Sequence, residues 1–401
     1  MKSIYFDLNI PKILLTQVIG RLWKNVFYSR ISPVSFGELS EIPLPGSKWV
    51  RIKNRLSGIC GSDLSLFFLE ANPKISLAAL PGLSRVFLGH EICGEVIEVG
   101  SRVTGFKIGD RVIFQKTMPN CFQKEIEPIC AQCAKGNYAL CENQSEGTLP
   151  ENIGGGWSEL FLSHESNILP APDSLTDDQA VLIEPAAVAV RAVLKKKPAA
   201  GDSVLVIGAG IIGLLTVKVI KLVQPECRVT VLARHPYQME LAQRAGADVI
   251  LSGKNQYEKI AEITGAKHYA GMFNNHMLLG GYDVIFDCVG KGESIHHAAR
   301  WCKAGGTIVL VGVDYSPSRF DYTPIVFQEI QILGSFCHGQ EDFYGEKIST
   351  FDLAMRFVTE KKLNLDGLIT HRFRLENYRD ALRIVTDKKN SSVVKAVFEF
   401  K

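Results

Sequence analysis

The run from Ser203 to Gly213 constrains this chain most. A short apolar stretch, Ser203 to Ile207, leads into Gly208-Ala209-Gly210-Ile211-Ile212-Gly213 and then a helical pattern through Lys221. Glycines at this spacing between a strand and a helix let the chain turn tightly, admit a pyrophosphate to the backbone and seat the helix on a sheet. The phosphates then meet free N–H groups at the positive end of the helix. A second strand pattern, Arg228 to Ala233, follows at the distance a βαβ unit requires. Further strands are predicted at Asp248 to Leu251, Tyr282 to Asp287, Gly306 to Gly312 and Ile330 to Ser335, with helices around Tyr237 to Ala245 and Ser294 to Cys302. The expected fold class is α/β, a Rossmann doubly wound parallel sheet binding a dinucleotide through Gly208, Gly210, Ile211, Ile212 and Gly213. Its nicotinamide is expected at the carboxyl edge of the sheet, near Val289, Val311 and Val313. Residues 254–281 are longer than a helix and a turn need, and the sequence attaches no function to them.

The end of the second strand bears on which dinucleotide binds. An acidic residue there would bond the ribose 2′-hydroxyl of NAD and repel a 2′-phosphate. This chain has Ala233 and Arg234 instead, which favours NADP over NAD. The alternative is that Arg234 stacks on the adenine and leaves the choice relaxed.

Charge excludes some classes. Lys and Arg number 45 against 42 Asp and Glu, a net of +3, with no basic block that calls for nucleic acid. The best apolar stretch, Ser203 to Val217, is 15 residues, short of a bilayer span. A brief apolar patch, Ile13 to Gly20, is broken by Gln17 and followed by Arg21 and Lys24, with no small-residue cleavage site. The expectation is a cytoplasmic protein with neither a membrane nor a nucleic-acid partner.

Four of the ten cysteines, Cys121, Cys130, Cys133 and Cys141, fall in one 21-residue stretch rich in turn formers. Clustered cysteines in a chain of this size read as metal ligands sooner than as disulfides, and four thiolates suit a tetrahedral zinc of structural type. Two disulfides, or unrelated thiols, are the competing reading. The first gap, C-x8-C, is wide, and Glu127 is the alternative first ligand.

Ahead of the sheet, Gly58-Ile59-Cys60-Gly61-Ser62-Asp63, Gly89-His90-Glu91 and Glu184-Pro185 are weak signals singly. Together they offer a thiolate, an imidazole and carboxylates from separate segments, a donor set for a catalytic zinc with an open position. With Gly154-Gly155-Gly156-Trp157-Ser158-Glu159 and the glycine loop, this series resembles the zinc-dependent medium-chain dehydrogenases, which include alcohol, sorbitol and threonine dehydrogenases, from about Val50 to Lys401.

The resemblance implies that the Rossmann domain, 181–337, is inserted in a mostly-β GroES-like catalytic domain, 1–180 and 338–401, with a structural-zinc lobe at 119–142. It implies Cys60 and His90 as catalytic zinc ligands, Glu91 as a ligand or close neighbour, and Glu184 as a fourth, exchanging ligand or water holder. Ser62 would pass the alcohol proton outward and Asp63 would orient His90. It also implies a homo-dimer or homo-tetramer. Two positions depart from the family's pattern: Glu127 stands where the lobe's first cysteine belongs, and Ser65 where some relatives carry a relay histidine. His338 is either a substrate-facing residue or an ordinary loop histidine. The expected activity is hydride transfer between an alcohol and NAD(P), with carbonyl reduction in reverse. The rivals are a zinc-free quinone or enone reductase of the same superfamily and a non-catalytic dinucleotide-binding protein.

Overall fold

A computed structural model describes residues 1–70, 84–115, 119–146 and 150–401. Part of the Leu- and Phe-rich stretch 64–88, which the sequence offers as pocket lining or core, therefore lies outside the described residues. The chain divides into two compact units, Met1–Glu184 with Asn364–Lys401, and Pro185–Leu363.

The second unit holds a six-stranded sheet in the order Val249–Leu251, Arg228–Leu232, Ser203–Ile207, Tyr282–Asp287, Cys302–Leu310, Gln331–Gly334. All neighbouring pairs are parallel. This is the doubly wound order, which reverses beside Ser203–Ile207. The central strands are near-continuous apolar runs because helices cover both faces of such a sheet. Val204, Leu205, Val206, Ile285 and Phe286 are buried. Helix Ile211–Val223 follows the first strand directly. The extra length in 254–281 is a helix, Gln256–Thr264, and an antiparallel hairpin, Lys267–Ala270 with His276–Leu279. Tyr257 stacks on His268 and His276 there, and His268 Nε2 lies 2.8 Å from His276 Nδ1.

The first unit is mostly β. Its larger sheet runs Ile369–Phe373, Lys395–Glu399, Trp49–Gly58, Ile92–Val99, Arg111–Phe114, Ile168–Pro170, with Leu160–His164 also paired to Trp49–Gly58. Alternating positions such as Val50, Ile52, Ile92, Val96 and Phe161 form a buried cluster. The tail strand thus sits beside the strand that leads into Cys60, with Val397 opposite Gly58. A three-stranded sheet places Lys2–Asp7 between Val34–Glu38 and Arg85–Phe87. Ile4, Phe6, Phe67, Leu88, Trp157 and Phe398 share its core.

Candidate active site

Cys60 lies two residues past the strand Trp49–Gly58 and caps the helix Gly61–Phe67. Asp63, in the first turn, reaches back to accept from the Cys60 backbone N–H at 3.1 Å. Its other oxygen accepts from Gly89 N–H at 3.0 Å and lies 3.3 Å from His90 Nδ1. One buried carboxylate therefore fixes the segments that carry Cys60 and His90, and orients the imidazole.

Gly89-His90-Glu91 is held from its other side. Gly89 has φ +80, and a Cβ there would meet Trp157 Cδ1 at 2.3 Å, so the motif needs glycine. Gly156 N–H and Trp157 N–H donate to the carbonyls of Gly89 and Leu88. Asn54 Nδ2 ties down the Gly155 and Ser158 carbonyls at 2.9 and 2.6 Å. Glu91 is 1% exposed and packs where a side chain at Gly58 would stand, with Oε2 1.7 Å from that Cβ position.

The ligand atoms of Cys60, His90 and Glu91 all lie within 4.8 Å of one another. Glu184, also buried, stands in the first turn of the helix Ile183–Lys195 and is not in this group of three. Ser62 is half-buried beside Cys60 on its helix.

Sequence reasoning missed Lys395. It is 2% exposed, donates to the Ile59 carbonyl at 3.1 Å and pairs with Glu91. Burial works against its ammonium, but Glu91, Cys60 and Glu184 outweigh that and hold its pKa above the ordinary lysine value. The available signal was a lysine at an inward position of the final apolar strand. Burial likewise pushes the Cys60 thiol up, while His90 beside it draws it down, and the net shift is downward, toward thiolate.

The donor set fits a divalent cation. Thiolate, imidazole and carboxylate are zinc ligands, and the buried carboxylates of Asp63, Glu91 and Glu184 plus a Cys60 thiolate leave negative charge that Lys395 alone does not offset.

The second cysteine cluster is also assembled. Cys121, Cys130, Cys133 and Cys141 form a four-ligand group, and no disulfide joins any of them. Cys141 Sγ lies 3.7 Å from Cys121 Sγ and 3.9 Å from Cys130 Sγ. Sulfurs about 2.3 Å from a tetrahedral centre stand about 3.8 Å apart, so the spacing is that of a zinc site. The wide first gap is taken up by turns at 121–126, closed by Ile126 N–H on the Cys121 carbonyl at 2.9 Å. The chain then returns so that Cys130 N–H faces Cys121 Sγ at 3.4 Å. Cys121 is thus in the group and Glu127 is not. Burial pushes the Cys130 thiol up, but the N–H groups of Cys133 and Glu142 outweigh it and lower its pKa to about 6.

In the second unit, Gly208 has φ +96, and a Cβ on Gly213 would lie 1.9 Å from the Gly208 carbonyl oxygen. A Cβ on Gly210, at the start of helix Ile211–Val223, would meet nothing within 4 Å. The loop is tight where it must be and open where a pyrophosphate would lie. Ala233 is buried and Arg234 exposed just beyond Arg228–Leu232. Asp287, fully buried at the end of Tyr282–Asp287, accepts from Val289 N–H, Gly290 N–H and the Ser294 hydroxyl. Those bonds set the loop carrying Val289, while Val311 and Val313 follow the next strand. His338 is buried, with its ring edge-on to Phe351.

Two family models match: the alcohol dehydrogenase GroES-like domain over residues 46–173 and the zinc-binding dehydrogenase over 212–352. The D-arabinitol dehydrogenase 1 of Uromyces fabae is 28% identical, with 92% of this chain and 95% of that protein covered. A sorbitol dehydrogenase of Halalkalibacterium halodurans is 27% identical, with 86% and 90% covered. Among solved structures, an Escherichia coli alcohol dehydrogenase complexed with NADH has a TM-score of 0.75 at 25% identity, covering 100% of this chain and 99% of that one. A Sinorhizobium meliloti zinc-binding dehydrogenase bound to NADP has a TM-score of 0.70 at 27% identity, covering 92% and 96%. With the GroES-like match over the unit that carries Cys60 and His90, and the second match running through the doubly wound sheet, the chain belongs to the zinc-dependent medium-chain dehydrogenase/reductase family.

Proposed function

We propose that this enzyme oxidises an alcohol, of the secondary-alcohol or polyol class, with NAD(P), and reduces the matching carbonyl in reverse. The convergence of Cys60, His90 and Glu91 within 4.8 Å carries the reading. A zinc held there would supply polarisation of the substrate oxygen and a lowered hydroxyl pKa, and a bound nicotinamide would supply the hydride acceptor. Cys60, His90 and Glu91 hold the metal, and Glu184 is an exchanging ligand or water holder. Asp63 keeps the His90 ring and the Cys60 amide in place. Ser62 takes the hydroxyl proton toward solvent. Lys395 sets an ammonium against the buried Glu91 carboxylate, so that the pair is held together inside the unit.

The four-cysteine lobe holds a structural zinc with no position left for substrate. Arg234 pairs with a 2′-phosphate, which supports NADP ahead of NAD. The enzyme works as a homo-dimer or homo-tetramer. A panel of secondary alcohols and polyols with NADP and NAD tests this. Turnover that chelation abolishes and zinc restores is expected. Quinone or enone reduction that survives zinc removal would favour the zinc-free reductase instead.

A further inference from the structure

The N-terminal helix Ile10–Gly20 is inverted relative to an ordinary surface helix. Its inward face carries Thr16 and Gly20, the latter against the Phe27 ring, while Ile13 and Ile19 are partly covered by the core. Its outward face carries Ile10, Leu14, Leu15 and Val18, exposed by 66, 57, 50 and 63%. Leu22 and Trp23 extend the patch at 94 and 51%. Gln17, which interrupts the apolar run in the linear sequence, points inward and donates to the Leu69 carbonyl at 3.2 Å. Once coiled, the run leaves an unbroken apolar face, and an exposed patch of this kind marks an interaction surface.

Charge identifies what it meets. Residues 8–37 contain Lys12, Arg21, Lys24 and Arg30 and no Asp or Glu. Arg21 and Lys24, next in sequence to Leu22 and Trp23, are exposed, and so is Arg30. Apolar side chains beside arginine, lysine and an interfacial tryptophan are how a helix lies in the headgroup plane of an anionic bilayer. At 11 residues the helix is too short to span one, and among the described residues no helix is long and apolar enough to cross a membrane. We propose that the outward face of Ile10–Gly20, with Leu22, Trp23, Arg21 and Lys24, docks the enzyme on an anionic lipid surface. This departs from the expectation, drawn from the linear sequence, of no membrane partner.

Co-sedimentation of the full chain with phosphatidylcholine–phosphatidylserine vesicles, against phosphatidylcholine alone, tests the proposal. About tenfold more bound protein on the anionic vesicles is expected, falling as salt rises. Leu14→Glu with Val18→Glu abolishes binding while leaving zinc content and alcohol turnover at the parent level, and Arg21→Glu with Lys24→Glu removes the preference for anionic lipid. Trp49, Trp157 and Trp301 are buried, so a blue shift of emission on vesicle addition reports Trp23. Trp23→Phe loses the shift. Equal binding to both vesicle types, or a Leu14/Val18 variant that still binds, would overturn the proposal. So would self-association that the same variant abolishes in a chain that ignores vesicles, which would assign the face to a second copy.

Discussion

Two cysteine-containing clusters lie in the same unit and are built in opposite ways. The lobe takes four like donors from the single segment 121–141, and backbone N–H groups of Cys130, Cys133, Glu142 and Asn143 point at its sulfurs. The other cluster takes three unlike donors from segments 30 residues apart in sequence, and borrows Asp63 and, from the far end of the chain, Lys395 to hold them. A closed all-sulfur cage needs local turns and nothing else. A mixed site that must leave room for substrate depends on buried charges balanced across the fold. On the proposed reading, the first serves stability and the second serves chemistry.

Substitutions divide along that line. His90→Ala should lower kcat/KM by about 10³-fold, because several kcal/mol of substrate activation depend on the bound metal. Its melting temperature should change little. Cys121→Ser should do the reverse, removing one zinc and lowering the melting temperature by roughly 10 °C, with residual low-temperature turnover. Glu127→Gln should match the parent, since Glu127 is outside the sulfur group. Calorimetry beside steady-state rates checks both.

Lys395→Met leaves the Glu91 carboxylate buried without its cation and should cost about 3 kcal/mol in zinc-free protein, measured by denaturant titration. Lys395→Arg should recover part of it. Asp63→Asn keeps the shape but weakens the hold on His90, and a 10- to 100-fold fall in zinc affinity at this site is expected by competition with a chelator, with the lobe unaffected. Smallest, Arg234→Gln should shift the NADP-to-NAD ratio of kcat/KM by about tenfold toward NAD. An unchanged ratio would mean Arg234 does not read the phosphate.

What the sequence revealed follows from how local each feature is. The six parallel strands were legible because apolar runs and the glycine loop are short-range patterns, and the strand ends shift by only a few residues, as where Cys302–Leu310 begins earlier than Gly306. Cys60, His90 and Glu91 were legible as motifs, but their convergence depends on Asp63 and on Gly58 making room for Glu91. Lys395 was not legible, since nothing near it in sequence shows that its strand pairs beside Trp49–Gly58. In the Ile13–Gly20 patch a linear scan counts Gln17 as a break, whereas on the helix its side chain turns inward to the Leu69 carbonyl.

Zinc per chain, measured by elemental analysis on the parent and on Cys60→Ala purified without added metal or chelator, tests the division most directly. Two assembled clusters predict close to two zincs in the parent, and one in the variant together with lost alcohol turnover and a retained melting temperature. Equal zinc in both proteins, or a variant that still oxidises alcohols, would contradict a catalytic metal at Cys60.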